Sequence, residues 1–288
     1  MTAAQPVSPA SPVSPPGGLA GAPAGKPAGF GHLLLSEWTK IRSVRSTVWA
    51  LILFVVVTIG FTVLVTALIT SNWNSGGGQG GHERIIADPA AFLMGAGVGL
   101  GQLTICVLGA LLITTEYSTG VIRASLLAVP RRTPMLVAKA IVFAGLILVL
   151  AEIVCFGSFF AGSAILHSRV PVSLGDPGVA RAVFGTGLYL TVLGLLALAV
   201  GTLIRHTAGA IATVIGVVLV LPILSGLLPR SWGAHINAYL PQQAGSLISH
   251  ARQQPADLLS PWQGFGVLCL WTALLLAAGI YLLKRRDA

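Results

Sequence analysis

Six apolar stretches, at residues 48–69, 90–113, 135–166, 182–204, 207–228 and 262–283, leave this chain few ways to fold. An α-helix rises about 1.5 Å per residue, so each stretch can cross a hydrocarbon core of about 30 Å. Inside a bilayer no water satisfies the backbone, and a helix bonds its own amides and carbonyls. Hydrophobic residues make up 55% of the sequence and charged residues 9%, against about 25% charged in soluble domains. The pattern predicts an all-α integral membrane protein with six transmembrane helices.

The net charge of +9 could suggest a nucleic-acid partner, but the cations gather at span ends. Placing the amino terminus in the cytoplasm puts Lys26, Lys40, Arg42, Arg45, Arg123, Arg131, Arg132, Lys139, Arg205, Lys284, Arg285 and Arg286 inside, 12 of the 17 basic residues. The outside loops keep Arg84, Arg169, Arg181, Arg230 and Arg252, mixed with acids. The positive-inside rule then predicts both termini cytoplasmic in a multi-pass protein of the cell membrane. Cys106, Cys155 and Cys269 lie within spans with no pairing pattern and read as small hydrophobes.

Residues 1–29 hold 7 of the 17 prolines among Ala, Gly and Ser, and a segment this poor in large apolar groups is expected to be a disordered cytoplasmic tail. It has no basic start and no apolar core of a signal peptide. Residues 30–288 are expected to form a single six-helix membrane domain. Its first part, GHLLLSEWTKIRSVRS, spaces Leu34, Trp38 and Ile41 as one helical face, with Glu37, Lys40, Arg42 and Arg45 mostly elsewhere. This predicts an amphipathic helix on the membrane surface, with Trp38 at headgroup level and the cations facing anionic lipid or a partner. A plain juxtamembrane anchor fits the same residues.

Between the first two spans, SNWNSGGGQGG reads as flexible linker, and Asp88 then Pro89 as a helix start. The second span carries two offset pairs, Gly95/Gly99 and Gly97/Gly101, which suit close helix packing, or less simply a backbone-lined substrate path. After it, TTEYSTGVIRASLLAVPRRT is longer than the 2–8 residues usual between helices. Ser118 or Thr119 can cap a short helix there, Ile122, Leu126 and Val129 give it an apolar stripe, and Pro130 ends it. In the third span Glu152 lies 13 residues, roughly 20 Å, beyond Lys139. A carboxyl at that depth is a candidate for a substrate path, or a protonated group bonded to a neighbouring helix. Arg205 and His206 predict a tight turn between spans four and five, and Pro222 a kink. Residues 229–261 are apolar enough to predict short helices dipping into the interface, a partly re-entrant loop.

Catalytic signatures are missing. Gly21, Gly25 and Lys26 come nearest to a phosphate loop, but the spacing is one residue short and Pro27 stands where Ser or Thr would hold Mg²⁺. The six histidines show no HxxxH or HExxH spacing, and GxSxG is absent. The expectation is a non-catalytic chain with no cofactor and no metal.

SEWTKIRSVRSTVWAL before the first span, and EYSTGVIR with the following PRR before the third, resemble permease subunits of type-2 ABC exporters, particularly actinobacterial ones. YLPQQAGSLI is similar to a weaker motif of that family. The resemblance covers residues 31–288. It implies an amphipathic connecting helix, a cytoplasmic coupling helix between spans two and three that docks on a separate nucleotide-binding ATPase, and a dimer of permeases. Carried over by position, Glu116, Tyr117, Gly120 and Arg123 would form the coupling surface, flanked by Arg131 and Arg132. Two other functions fit the residues less fully: an ion-coupled transporter or channel using Glu152, and a membrane scaffold.

Overall fold

The structure is a computed structural model that describes residues 29–74, 79–118, 132–255 and 257–285. Among the described residues every regular element is a helix. Helix α1 (Phe30–Ser43) leads into α2 (Arg45–Ser71), then α3 (Gln79–Ala87), α4 (Pro89–Ser118), α5 (Arg132–Leu166) and α6 (Val179–Ile204). Helix α7 (Thr207–Ile215), a π-turn (Gly216–Val220) and α8 (Leu221–Gly226) form one continuous span. Two short helices, α9 (Arg230–Tyr239) and α10 (Pro241–Ser246), and a 3₁₀ turn (Leu247–Ser249) precede α11 (Pro261–Arg285). Six of these segments are long and apolar enough to cross a membrane: α2, α4, α5, α6, α7–α8 and α11. The chain is a multi-pass membrane protein.

Helix α6 stands at the centre. It is the most buried span, packed by α4, α5, α7 and α11. Glycines let its neighbours close in: a Cβ at Gly194 would press on Ile105 and Phe143, and one at Gly201 on Ile113 and Ala110. Arg205 ends α6 in the left-handed conformation (φ 58°), and His206 caps α7 by accepting from the Gly209 amide at 3.3 Å. This is the tight turn that the sequence predicts, and it makes α6 and α7 antiparallel neighbours. Pro222 has no N–H to return to the preceding turn, and the π-turn just before it takes up the mismatch.

The two glycine pairs of α4 have different neighbours. Side chains at Gly97 and Gly101 would overlap Thr58 of α2, so these positions set a close helix crossing. Thr58, Thr62 and Thr66 form the buried row of α2 that faces it. At Gly95 and Gly99 an added Cβ would meet nothing within 4 Å.

The structure departs from the sequence reading in two places. The expected linker contains α3, which buries Ile85 (5% exposed), an anchor that the neighbouring glycines conceal in any composition count. Asp88 then caps α4 as expected, accepting from the Ala91 amide at 2.9 Å. Helix α4 also continues to Ser118, past the apolar limit at 113, and within it the hydroxyls of Thr114 and Thr115 are satisfied by the carbonyls of Ala110 and Leu111. That extra turn carries Glu116 and Tyr117. The tail at 1–28 and the 119–131 loop, including the expected coupling helix, lie outside the described residues.

Candidate functional site

At the end of the bundle that carries α1, two carboxylates and two ammonium groups meet away from solvent. Glu37, expected away from the apolar face of α1, instead falls in its buried row with Ile41, because it meets the Lys139 ammonium there. Lys139 comes from the first turns of α5 and is 1% exposed, Glu37 is 2% exposed, and Glu116 at the end of α4 is buried. Lys139 Nζ donates to Glu37 Oε2 and, at 2.8 Å, to Glu116 Oε1. Lys40 Nζ, half-buried, donates to Glu37 Oε1 at 2.6 Å and lies 3.4 Å from Glu116 Oε1. The charges cancel in number. Burial by itself would push the Glu37 carboxyl up, but the Lys139 charge and the hydrogen bonds from Lys139 and Lys40 outweigh it and hold the group below its ordinary value. Burial works against the charge on Lys40, and the hydrogen bond to Glu37 with the charges of Glu116 and Glu37 reverse it, raising that group above its ordinary value.

This network ties three segments together: α1, the last turn of α4 and the first turns of α5. The chain that leaves α4 and enters α5 is the 119–131 loop, so α1 is clamped to both roots of that loop. Tyr117, one residue beyond Glu116, carries the Arg205 guanidinium over its ring at 5.2 Å, which adds the α6–α7 turn to the same cluster. Trp38 is 40% exposed on the outer side of α1, and Arg42 and Arg45 are exposed. Gly120, Arg123 and Arg131 lie outside the described residues, and of Arg132 only the backbone, as the first residue of α5, is described.

Glu37 and Lys139 were missed as site residues by sequence reasoning. The signal was present: Glu37 shares a helical row with Leu34 and Ile41, and Lys139 stands inside MLVAKAIVF with no charged neighbour. Either one alone reads as an exception, and only the fold joins residues 102 positions apart.

At the far end of the bundle a groove of about 200 Å³ runs along α4. Gly95 and Gly99 form one wall, Gln102 and Tyr189 the floor, and Gln242, Ser249 and His250 the other side. Tyr189 donates to Gln102 Oε1 at 2.6 Å, deep in the spans. Arg181 holds the groove's rim by donating to the carbonyls of His250 and Ala251, each at 3.0 Å, and Asp88 Oδ2 accepts from the Arg252 amide at 3.1 Å. Segment α9–α10 lies beside the span rather than beyond it: Trp271, ten residues into α11, donates to the Tyr239 carbonyl at 3.1 Å. A wider hollow of about 700 Å³ between Glu83, Arg84 and Arg252 is lined by exposed charges of both signs and has the character of open surface.

Glu152 sits elsewhere. Both its carboxyl oxygens are buried without a hydrogen-bond partner among the described residues, pressed against Gly187 of α6, where a Cβ would collide with them. Gly187 and Tyr189 are two residues apart on one helix, about 200° around its axis, so Glu152 and the groove lie on opposite sides of α6. Among the described residues no group of His, Cys, Asp and Glu could hold a metal.

Compared with known families, residues 82–288 match the family described as ABC-2 family transporter protein, well over half of the chain. The chain belongs to the ABC-2 transporter family. No curated protein matches it. As an ABC-2 family member it is a permease subunit of an ABC transporter, a system that includes an ATPase partner. The matched residues include Glu116, Lys139 and every residue of the groove, while α1 and α2 precede them.

Proposed function

We propose that this chain is the export permease of an ATP-driven complex, and that loop 119–131 is where a separate ATPase subunit docks. The observation that carries this reading is the buried Glu37–Lys139–Glu116 network at the roots of that loop. A push on the loop reaches α4 and α5 directly and α1 through ion pairs too buried to exchange freely with water. Glu116, Tyr117, Gly120, Arg123, Arg131 and Arg132 form the coupling surface in this reading, with Trp38, Lys40, Arg42 and Arg45 seating α1 at the membrane interface. Both termini face the cytoplasm of the cell, as the 12 to 5 split of basic residues supports. Two permease copies assemble with two ATPases.

The test is to purify the complex with charge reversals Glu116→Arg and Arg123→Glu and compare ATPase co-elution and cargo-stimulated hydrolysis with wild type. Loss of stimulation is expected in both, in Arg123→Glu because desolvated charge pairs at such interfaces are worth about 2–5 kcal/mol and in Glu116→Arg because Lys139 and Lys40 also lose a partner inside the chain. Full assembly and stimulation in both variants would remove the loop from the mechanism. Cysteine labelling at Gln253 in intact cells checks the topology, since an impermeant reagent should reach it.

A further inference from the structure

The groove at the far end holds polar groups that the fold leaves unused. Gln102 is 6% exposed, and its one hydrogen bond among the described residues is the one that Oε1 accepts from Tyr189. Its Nε2 has no acceptor among the described residues, and Gln102 lines the groove. Ser249, 8% exposed, likewise has a hydroxyl with no partner among the described residues. Across the groove Gln242 Oε1 is a buried acceptor and His250 Nδ1 a buried ring nitrogen, neither with a hydrogen-bond partner among the described residues. The Tyr189 hydroxyl also faces Gln242, but its single proton goes to Gln102. Unmade hydrogen bonds are unfavourable in a membrane interior, where water does not replace them freely.

The chemistry of these groups narrows the ligand. Groups that donate and groups that accept share one small space that no carboxylate, Lys or Arg lines, and the one cation at its rim, Arg181, spends Nη2 on the His250 and Ala251 carbonyls while its Nη1 is buried without a partner among the described residues. An ammonium only donates and a carboxylate only accepts, so each would leave half the groove unanswered and lose its own hydration. A hydroxyl does both. Ala91, Met94 and Val98 make the remaining lining apolar, and Gly95 and Gly99 are exposed, so one side stands open along a span. The geometry points to a binding site for an uncharged, multiply hydroxylated head group carried on an apolar tail. This rests on the permease reading above and specifies the class of molecule that the far half of the pathway accepts.

The experiment uses the full chain with its ATPase in lipid nanodiscs. The probe is a monoacylglycerol with a photoreactive diazirine in its acyl chain; a fatty amine and a fatty acid of the same length and label are the charged controls. Crosslinked peptides are mapped by mass spectrometry. Labelling of α4 and α10 by the monoacylglycerol should exceed that by either charged probe about tenfold. Gly99→Leu enters the groove at a position where an added Cβ meets no protein atom within 4 Å, and Gln242→Leu removes an acceptor. Each should cut the labelling about tenfold, while Gly60→Leu, equally unhindered but on α2, should leave it unchanged. Background labelling of wild type, equal labelling by a charged probe, or full labelling in both groove variants would overturn the proposal. Basal ATP hydrolysis is measured in the same discs. If it persists while selective labelling fails, the ligand class is wrong and the transporter reading stands. If hydrolysis is absent while labelling stays selective, the ligand class stands and the ATP-driven reading is wrong.

Discussion

The two ends of the bundle treat buried polar groups in opposite ways. At the α1 end four charged groups from α1, α4 and α5 pair with one another, leaving only Glu116 Oε2 of their oxygens without a hydrogen bond among the described residues, and their removal from water is offset by close ion pairs. At the far end neutral groups line a groove and several go unanswered. A matched network favours one arrangement and makes α1, α4 and α5 move together. An unmatched one is stabilised only when something else supplies the missing partners. Position in the bundle, and not polarity alone, separates a joint from a binding surface.

The largest effect should come from breaking the joint. Lys139→Met leaves Glu37 and Glu116 buried together with only half-buried Lys40 between them, and removing one partner of such a set costs about 3–5 kcal/mol. Hydrogen exchange should rise sharply across Phe30–Ser43, and stimulated ATP hydrolysis should fall with it. Retained protection of α1 would mean that its apolar contacts hold it unaided.

Next in size is a contrast between glycines on one helix. Gly97→Leu forces a side chain into the Thr58 backbone and should lower stability by about 1–3 kcal/mol, whereas Gly95→Leu enters open space and should leave the thermal midpoint of the complex unchanged. Equal losses would erase the distinction between the packed and open faces of α4.

Glu152→Gln tests the third polar feature, which belongs to neither end. It keeps size and hydrogen-bonding capacity while removing the charge, and the expected result is reduced export with normal ATPase co-elution. Export at the wild-type rate for both Glu152→Gln and Glu152→Ala would make it a packing residue.

A smaller change is expected from Tyr189→Phe, which removes the hydrogen bond to Gln102 and should cost about 1 kcal/mol in the unfolding midpoint. A larger loss would show that the groove floor supports the fold beyond that bond.

The gentlest probe is pH. Glu37 is held below its ordinary value, so its stabilising share is present above about pH 4.3 and disappears as pH falls through the lower folded value. Lys40 is raised, so its share is present below about pH 10.4 and is lost as pH climbs through the higher folded value. Protection of α1, corrected for intrinsic exchange, should be level across neutral pH. A step between about pH 5 and 9 would point to a titrating group other than Glu37 and Lys40.

Much of the fold is legible from the chain alone. The six spans, the cap at Asp88 and the turn at Arg205–His206 all follow from local rules of length, capping and chain reversal. Of the site, Glu116 and Lys40 were legible as charges flanking apolar helices, but Glu37 and Lys139 were not, because each meets its partners only through tertiary contact. The α9–α10 segment was legible as apolar, yet its place beside α11 depends on contacts such as that of Trp271 with Tyr239.

By itself the sequence determined which residues share a face, since an α-helix turns about 100° per residue wherever it stands. It placed Gly95 with Gly99, and Gly97 with Gly101. What each face meets was decided by the tertiary structure alone: Thr58 of α2 for one pair, an open groove for the other, and for Glu152 the side of α6 away from Tyr189. The physical reason is that lipid tails and helix surfaces are about equally apolar. Hydrophobicity therefore drives a span into the membrane without choosing its neighbours, and the choice falls to close packing and to hydrogen bonds between residues far apart in the chain.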